Sequence, residues 1–191
     1  GGGVAEAFPA DLTRESDVRR MVSGVVSCFD SVDILVNSAG GGRVMPFLEM
    51  TEQEWDEILE RNLKSVFLCC RAVAEVMVRK GGGRIVNVAS IAGRSMSVLQ
   101  GAHYTAAKAG VLGLTRHLAR ELGPHGIAVN AVAPSVTLTE RIRKQVTPER
   151  EAELIRSIPL RRLATPEDQA KVILFLVSDM ASYVTGATID V

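Results

Sequence analysis

Four short apolar runs, rich in β-branched residues, are separated by stretches with helical period, and this alternation narrows the fold more than any composition figure. Residues 33–37 (DILVN), 84–90 (RIVNVAS) and 127–134 (IAVNAVAP) read as buried strands, and 188–191 as a last strand, cut short. Residues 4–8 are a further strand candidate. Between them, Val18, Met21, Val22, Val25, Val26 and Phe29 recur at helical spacing, with Thr13 near the start as a cap. Thr51-Glu52-Gln53-Glu54 has the form of a capping box, opening a long helix through Trp55, Leu59, Leu63, Phe67 and Met77. Residues 104–122 are helical by composition, and Thr165-Pro166-Glu167-Asp168 sets a cap with proline at the first helical position. Strands alternating with helices imply an α/β fold, a doubly wound parallel sheet covered on both faces. No repeat, low-complexity tract or linker splits the 191 residues, so 1–191 reads as one domain.

In such sheets, ligands bind beyond the carboxyl ends of the strands. Three predicted strands end in groups suited to that edge: Asn37-Ser38-Ala39-Gly40, Ser90, and Pro134-Ser135. Other classes find little support. Lys+Arg and Asp+Glu both number 22, so no global charge draws the chain to nucleic acid or to a membrane surface. No apolar run is long enough to span a bilayer, and the opening GGG is neither a basic nor an apolar leader. The three cysteines, Cys28, Cys69 and Cys70, lack C-x-x-C spacing, and the adjacent pair reads as reduced core thiols. The three histidines lack metal-site spacing, so no metal is expected. A cytoplasmic location fits these features.

One stretch carries candidate chemistry. In HYTAAKAG (103–110), Tyr104 and Lys108 stand at i and i+4 on one helical face. An ammonium near a phenol favours the phenolate, so the pair could exchange a proton with a substrate oxygen near neutral pH. Spacing alone equally allows two unrelated polar groups on a surface helix. Ser90, closing its strand, is either a donor to the same oxygen or a cap for the following turn; no G-x-S-x-G surrounds it, so it does not read as a nucleophile. Asn62 interrupts an apolar helical face, either for a purpose or as a residue turned to solvent.

Taken in order, DLT (11–13), NSAG (37–40), RNLKSVF (61–67), NVAS (87–90), YTAAK (104–108) and NAVAP (130–134) resemble the short-chain dehydrogenase/reductases, and residues 158–191 look like that family's C-terminal stretch. The resemblance covers nearly the whole chain. It implies a Rossmann-like fold and an NAD(P)-dependent oxidoreductase, with NAD or NADP left open, passing hydride between nicotinamide and a carbonyl or secondary alcohol. Within the family the chain looks most like the 3-oxoacyl-[acyl-carrier-protein] reductases and nearby sugar or polyol dehydrogenases. By the same resemblance, Tyr104 is the proton donor or acceptor, Lys108 holds the nicotinamide ribose and lowers the phenol's proton affinity, Ser90 orients the substrate oxygen, and Asn62 supports a water leading protons to the lysine. Asp11 and Leu12 meet the adenine; Asn37, Ala39 and Gly40 border the adenosine; Pro134, Ser135, Thr137 and Thr139 embrace the nicotinamide. Met96, Leu99, Gln100 and His103, with the segment 138–160, line the substrate pocket. Arg141, Arg143 and Lys144 there suit an acidic carrier, or belong to the approach to a solvated lid helix near Thr147-Pro148. The substrate is a small-molecule or carrier-bound carbonyl or alcohol, and a homotetramer or homodimer is implied through helices at 52–79 and 104–122.

The chain also departs from the family pattern. It starts at the family's third strand, without the glycine-rich turn that seats the pyrophosphate, and ends inside the final strand. The expectation is an incomplete copy of a longer enzyme, whose first strand would be left unpaired beside an open hydrophobic slot. Pro134-Ser135 replaces the usual Pro-Gly, and because serine resists positive φ the nicotinamide loop is expected to shift. The spacing from Ser90 to Tyr104 is one residue longer than the family's commonest form. A module that binds a dinucleotide or a partner without catalysis, or an inert fragment, is the alternative reading.

Overall fold

The computed structural model describes residues 2–191. Its sheet has four parallel strands in the order β1 (Ile34–Asn37), β2 (Gly83–Val88), β3 (Ile127–Ala133) and β4 (Thr188–Asp190). Helix α1 (Glu15–Phe29) precedes β1. Between β1 and β2 run α2 (Glu52–Leu59), a π-helical turn (Glu60–Lys64) and α3 (Ser65–Lys80). Helix α4 (Ala102–Leu122) joins β2 to β3. Three helices follow: α5 (Glu140–Gln145), α6 (Pro148–Ser157) and α7 (Pro166–Val177).

Two apolar layers sandwich the sheet. On one face α1, α3 and α4 bury Val18, Val22, Val73, Met77 and Val111 against Ile85, Ile127 and Val129. On the other, Leu176 of α7 packs on Val86 and Val132, flanked by Val172, Ile173 and Ile189. The doubly wound reading therefore holds, and every residue of β3 except Ala128 is buried.

Local chemistry sets the boundaries. Thr51 accepts from the Glu54 N–H and Glu54 accepts from the Thr51 N–H, closing the expected capping box. Thr165 and Asp168 close another at α7, and Thr147 caps α6 ahead of Pro148. Helix α3 stops where Gly81 turns to φ 89°, with its N–H on the Met77 carbonyl.

Two early expectations fail. Residues 4–8 form no strand, and Val4 is 85% exposed. Local pattern makes a strand only where a neighbour supplies a hydrogen-bonding ladder, and the segment has none. Correspondingly, β1 pairs on one side only, with Ile34 and Val36 left substantially exposed. A groove of about 260 Å³ opens beside it, lined in part by Leu12, Leu35, Val36, Val66 and Cys69. Thr13 does not cap α1 either. Its N–H and hydroxyl both donate to Oδ1 of Asp11, and the cap position falls to Arg14 without a side-chain bond.

Candidate active site

The carboxyl ends of β1, β2 and β3 converge on the first half of α4, and missing side chains make the approach close. A Cβ on Gly93 would lie 2.7 Å from the carbonyl carbon of Lys108, so the turn after Ser90 packs directly on the α4 backbone. The Ile91 N–H donates to the Pro134 carbonyl at 3.0 Å, tying the end of β3 to the same turn. Residues 40–42 run along the other side. A Cβ on Gly40 would sit 2.7 Å from Asn62 Oδ1 and 3.7 Å from Lys108 Nζ, and one on Gly42 would sit 3.1 Å from the Tyr104 ring. Gly40 and Gly41 also take φ of 153° and 146°, conformations that favour glycine.

Lys108 is almost fully buried. Its ammonium donates to the Val88 carbonyl at 2.8 Å and lies 5.7 Å from the centre of the Tyr104 ring, so the two side chains share one flank of α4 as their spacing predicts. Burial pulls the lysine from its ordinary 10.5 down to about 8. Ser90 both closes the strand and caps the next turn: its Oγ accepts from the Ala92 N–H at 3.1 Å, which leaves the hydroxyl proton free to donate.

Asn62 is not a solvent-facing residue; it is fully buried. Its Nδ2 donates at 2.9 Å to the carbonyls of Gly41 and of Ile58, four residues back, and its Oδ1 accepts from the Gly41 N–H at 2.9 Å. By taking the Ile58 carbonyl, the side chain competes with the main-chain ladder, and the helix slips into the π turn at this residue. The same amide pins residues 40–42 beside Lys108.

Several other predicted site residues are placed differently from expectation. The Asn37 side chain does not border the surface; its Nδ2 donates inward to Asn87 Oδ1 at 2.9 Å and to Cys70 Sγ at 3.2 Å. Asn87 continues to the Thr115 hydroxyl and Thr115 to the Val111 carbonyl, a buried polar chain from β1 to α4. The Asn37 amide is thus engaged inside the molecule. His103 does not line a pocket: it is fully buried behind Tyr104. Ser135 takes no positive φ, so serine fits where glycine was expected, and its N–H donates to the Val191 carbonyl at 2.7 Å.

The remaining candidates keep positions around the strand ends. Thr137 accepts from Gln169, and the Thr139 hydroxyl accepts from the Ile142 N–H to cap α5. Asp11 spends its carboxylate on Thr13 and Arg14, and the Thr13 hydroxyl holds it below the usual carboxylate range. Leu12 packs against the core and Ala39 is exposed at the end of β1. Met96 is exposed, and Leu99 and Gln100 are half-buried on the loop before α4. Arg143 is exposed on α5; the side chains of Arg141 and Lys144 lie outside the described ones.

The donor set suits the ribose end of a nicotinamide cofactor. Gly40 passes in close contact with the buried Asn62 amide oxygen and the Lys108 ammonium, and the ammonium, with one N–H on the Val88 carbonyl, has two more that suit vicinal hydroxyls. Among the described residues, no G-x-G-x-x-G turn joins a strand to a helix, and no group of three His, Cys, Asp or Glu could hold a metal. A cavity of about 460 Å³ at the amino end of the sheet carries no comparable chemistry, because its Lys80 and Arg84 are paired with Asp33 and Asp179.

The sheet and the chemistry at its carboxyl edge define a class: α/β oxidoreductases that use a nicotinamide cofactor on the CH–OH/C=O pair. A family model described as enoyl-(acyl carrier protein) reductase matches residues 1–191. The 3-oxoacyl-[acyl-carrier-protein] reductase FabG of Staphylococcus epidermidis is 42% identical over 185 residues, covering 97% of this chain and 75% of that protein. The (3R)-3-hydroxyacyl-CoA dehydrogenase of Canis lupus familiaris is 40% identical over 195 residues, covering 100% of this chain and 73% of its own. A crystal structure of a short-chain type dehydrogenase/reductase from Mycobacterium marinum matches with a TM-score of 0.94 at 35% identity, over 100% of this chain and 75% of that one. The chain belongs to the short-chain dehydrogenase/reductase family.

Proposed function

We propose that this chain carries the active site of a carbonyl reductase acting on 3-oxoacyl thioesters, free or carrier-bound, in which Tyr104 supplies the proton. The observation that carries the reading is the buried Lys108 ammonium beside the Tyr104 ring, at the point where three strand ends meet. A nicotinamide cofactor, when bound, supplies the hydride in reduction and accepts it in oxidation. As the carbonyl oxygen gains charge, Tyr104 delivers its hydroxyl proton to it, and the substrate leaves as the alcohol; oxidation runs the same transfer backwards. Lys108 stabilises the phenolate left behind. Ser90, its oxygen anchored by the Ala92 N–H, aims its own proton at the same substrate oxygen. Asn62 holds residues 40–42 in place, and its Oδ1, near Nζ across Gly40, suits a water that returns protons to the lysine.

The thioester substrate is proposed from the activities for which the relatives at 42% and 40% identity are named. Either NAD or NADP is compatible with the residues described. A groove of about 530 Å³ between α3 and α4, lined by Phe67, Val78, Leu118 and Leu122, supports a homodimer or homotetramer through these helices. No helix among the described residues is long and apolar enough to cross a membrane, and we place the enzyme in the cytoplasm on one domain spanning 1–191. The test is turnover of a 3-oxoacyl thioester with NADH or NADPH by wild type and by Tyr104→Phe. A loss of about 10²–10⁴-fold is expected from removing the proton donor; undiminished turnover would remove Tyr104 from the mechanism.

A further inference from the structure

His103 is the second residue of α4, immediately before Tyr104, and has no exposed surface. Its Nδ1 lies 2.8 Å from the Tyr104 main-chain nitrogen and accepts that N–H, which also reaches the Gly101 carbonyl at 3.1 Å. A ring nitrogen that accepts carries no proton, so the neutral ring holds its hydrogen on Nε2. Nε2 is buried and has no hydrogen-bond partner among the described residues. The ring packs directly on the Gly101 backbone. A Cβ on Gly101 would stand 2.8 Å from His103 Cε1 and 3.0 Å from the Met45 carbonyl oxygen, so only glycine there admits the imidazole.

The charged groups around the ring are few. Glu54 of α2 lies within electrostatic reach of it: the Glu54 carboxyl is held below the usual range first by the Thr51 main-chain N–H and also by Arg43, and a charge on His103 would act in the same direction. Arg43, on the loop before α2, is itself paired with Glu54. On α4, Lys108 turns away to the Val88 carbonyl.

We infer that His103 is a positioning residue for Tyr104, holding the first turn of α4 in its working place only while the ring is neutral. A proton on Nδ1 sets two N–H donors facing each other across 2.8 Å, with the ring held against Gly101. The turn carrying the phenol must then move, and a small misplacement at a reacting centre costs rate. Protonation of the ring would therefore show as an acid limb that belongs to His103 rather than to the tyrosine–lysine pair. This rests on the reading of Tyr104 as the proton donor.

The test measures kcat and KM against pH for wild type, His103→Ala and His103→Asn, together with the ¹⁵N resonances of the His103 ring in the wild-type protein. Asparagine places Oδ1 where Nδ1 stands, and cannot titrate. The alanine variant is expected to lose about five- to tenfold in kcat at neutral pH, the equivalent of one hydrogen bond, with KM changed by less than about twofold. Asparagine is expected to recover most of that loss and to lack the acid limb. The ring resonances should put the proton on Nε2. An acid limb unchanged in His103→Asn, or a proton on Nδ1 at neutral pH, overturns the inference. If Tyr104→Phe turns over normally, both the inference and the reading beneath it fall, yet the ring spectrum stays as expected, so the two failures are distinguishable.

Discussion

Replacing Lys108 with methionine should abolish turnover and yet make the protein more stable at neutral pH. The folded protein holds this ammonium in an almost fully buried position, where its affinity for a proton falls from the ordinary 10.5 to about 8. At about 1.4 kcal/mol for each tenfold change, the charged form carries a burial cost of roughly 3 kcal/mol. Methionine has similar length and no charge to desolvate, but it leaves the Val88 carbonyl without its donor, returning about 1–2 kcal/mol of cost. The net expectation is a gain of about 1–2 kcal/mol, or a rise in Tm of about 2–8 °C for a chain of this size. The pH dependence has a definite sign. Between about 8 and 10.5 the unfolded chain still holds the lysine proton while the folded one has released it. The unfolded state then binds more protons, so wild-type stability rises with pH through that window. Below 8 both states are charged and the cost stays constant. Lys108→Met lacks this rise, so its advantage should be largest at pH 7 and shrink towards pH 10.5; groups that do not sense Lys108 cancel in the difference. Urea denaturation of both proteins at pH 7 and pH 10 measures it. A variant less stable than wild type by more than about 1 kcal/mol at pH 7, or an advantage that does not shrink with pH, would refute the reasoning.

Two further substitutions probe how the site is held together. Asn62→Ala strands the N–H and carbonyl of Gly41, which is only half-buried, so a loss of about 2–4 kcal/mol with a lower kcat is expected; a loss under about 1 kcal/mol in urea denaturation would mean that water replaces the amide. Gly93→Ala drives a methyl group into the Lys108 and Ala109 backbone, which cannot rotate away as a side chain would. It should cost roughly 1–3 kcal/mol and slow turnover by parting the Ser90 turn from α4; wild-type stability and kcat together would contradict the packing described.

Much of this was legible in the sequence because the signals were local. The β2 and β3 runs are apolar and β-branched over six or seven residues, and the caps at Thr51, Thr147 and Thr165 are fixed by residues within one helical turn. Tyr104 and Lys108 meet because four residues of helix bring them together. The errors came where a residue's environment is set by distant chain. Residues 4–8 have strand composition but no neighbour to pair with. Asn37 closes a strand, and nothing local shows that its side chain turns inward to Asn87 and Cys70. The sequence did hold a hint: Asn87 and Thr115 interrupt apolar segments just as Asn62 does, and three such interruptions suggest groups that satisfy one another inside. His103 looked like pocket lining because it neighbours Tyr104, whereas one step along a helix turns a side chain through about 100°.

The polar chain from Asn37 to Asn87 to Thr115 does more than satisfy itself. Strands that are apolar on both faces lack the apolar-and-polar alternation that fixes alignment elsewhere, and a slide of two residues between β1 and β2 would return every side chain to its own face. That slide would also part Asn37 from the residue directly opposite it, leaving interior polar atoms bare at about 1–3 kcal/mol apiece. The amide pair thus works as a detent: it sets the two strands level at their upper ends, and so fixes the heights at which residues 40–42 and Ser90 arrive on either side of the tyrosine.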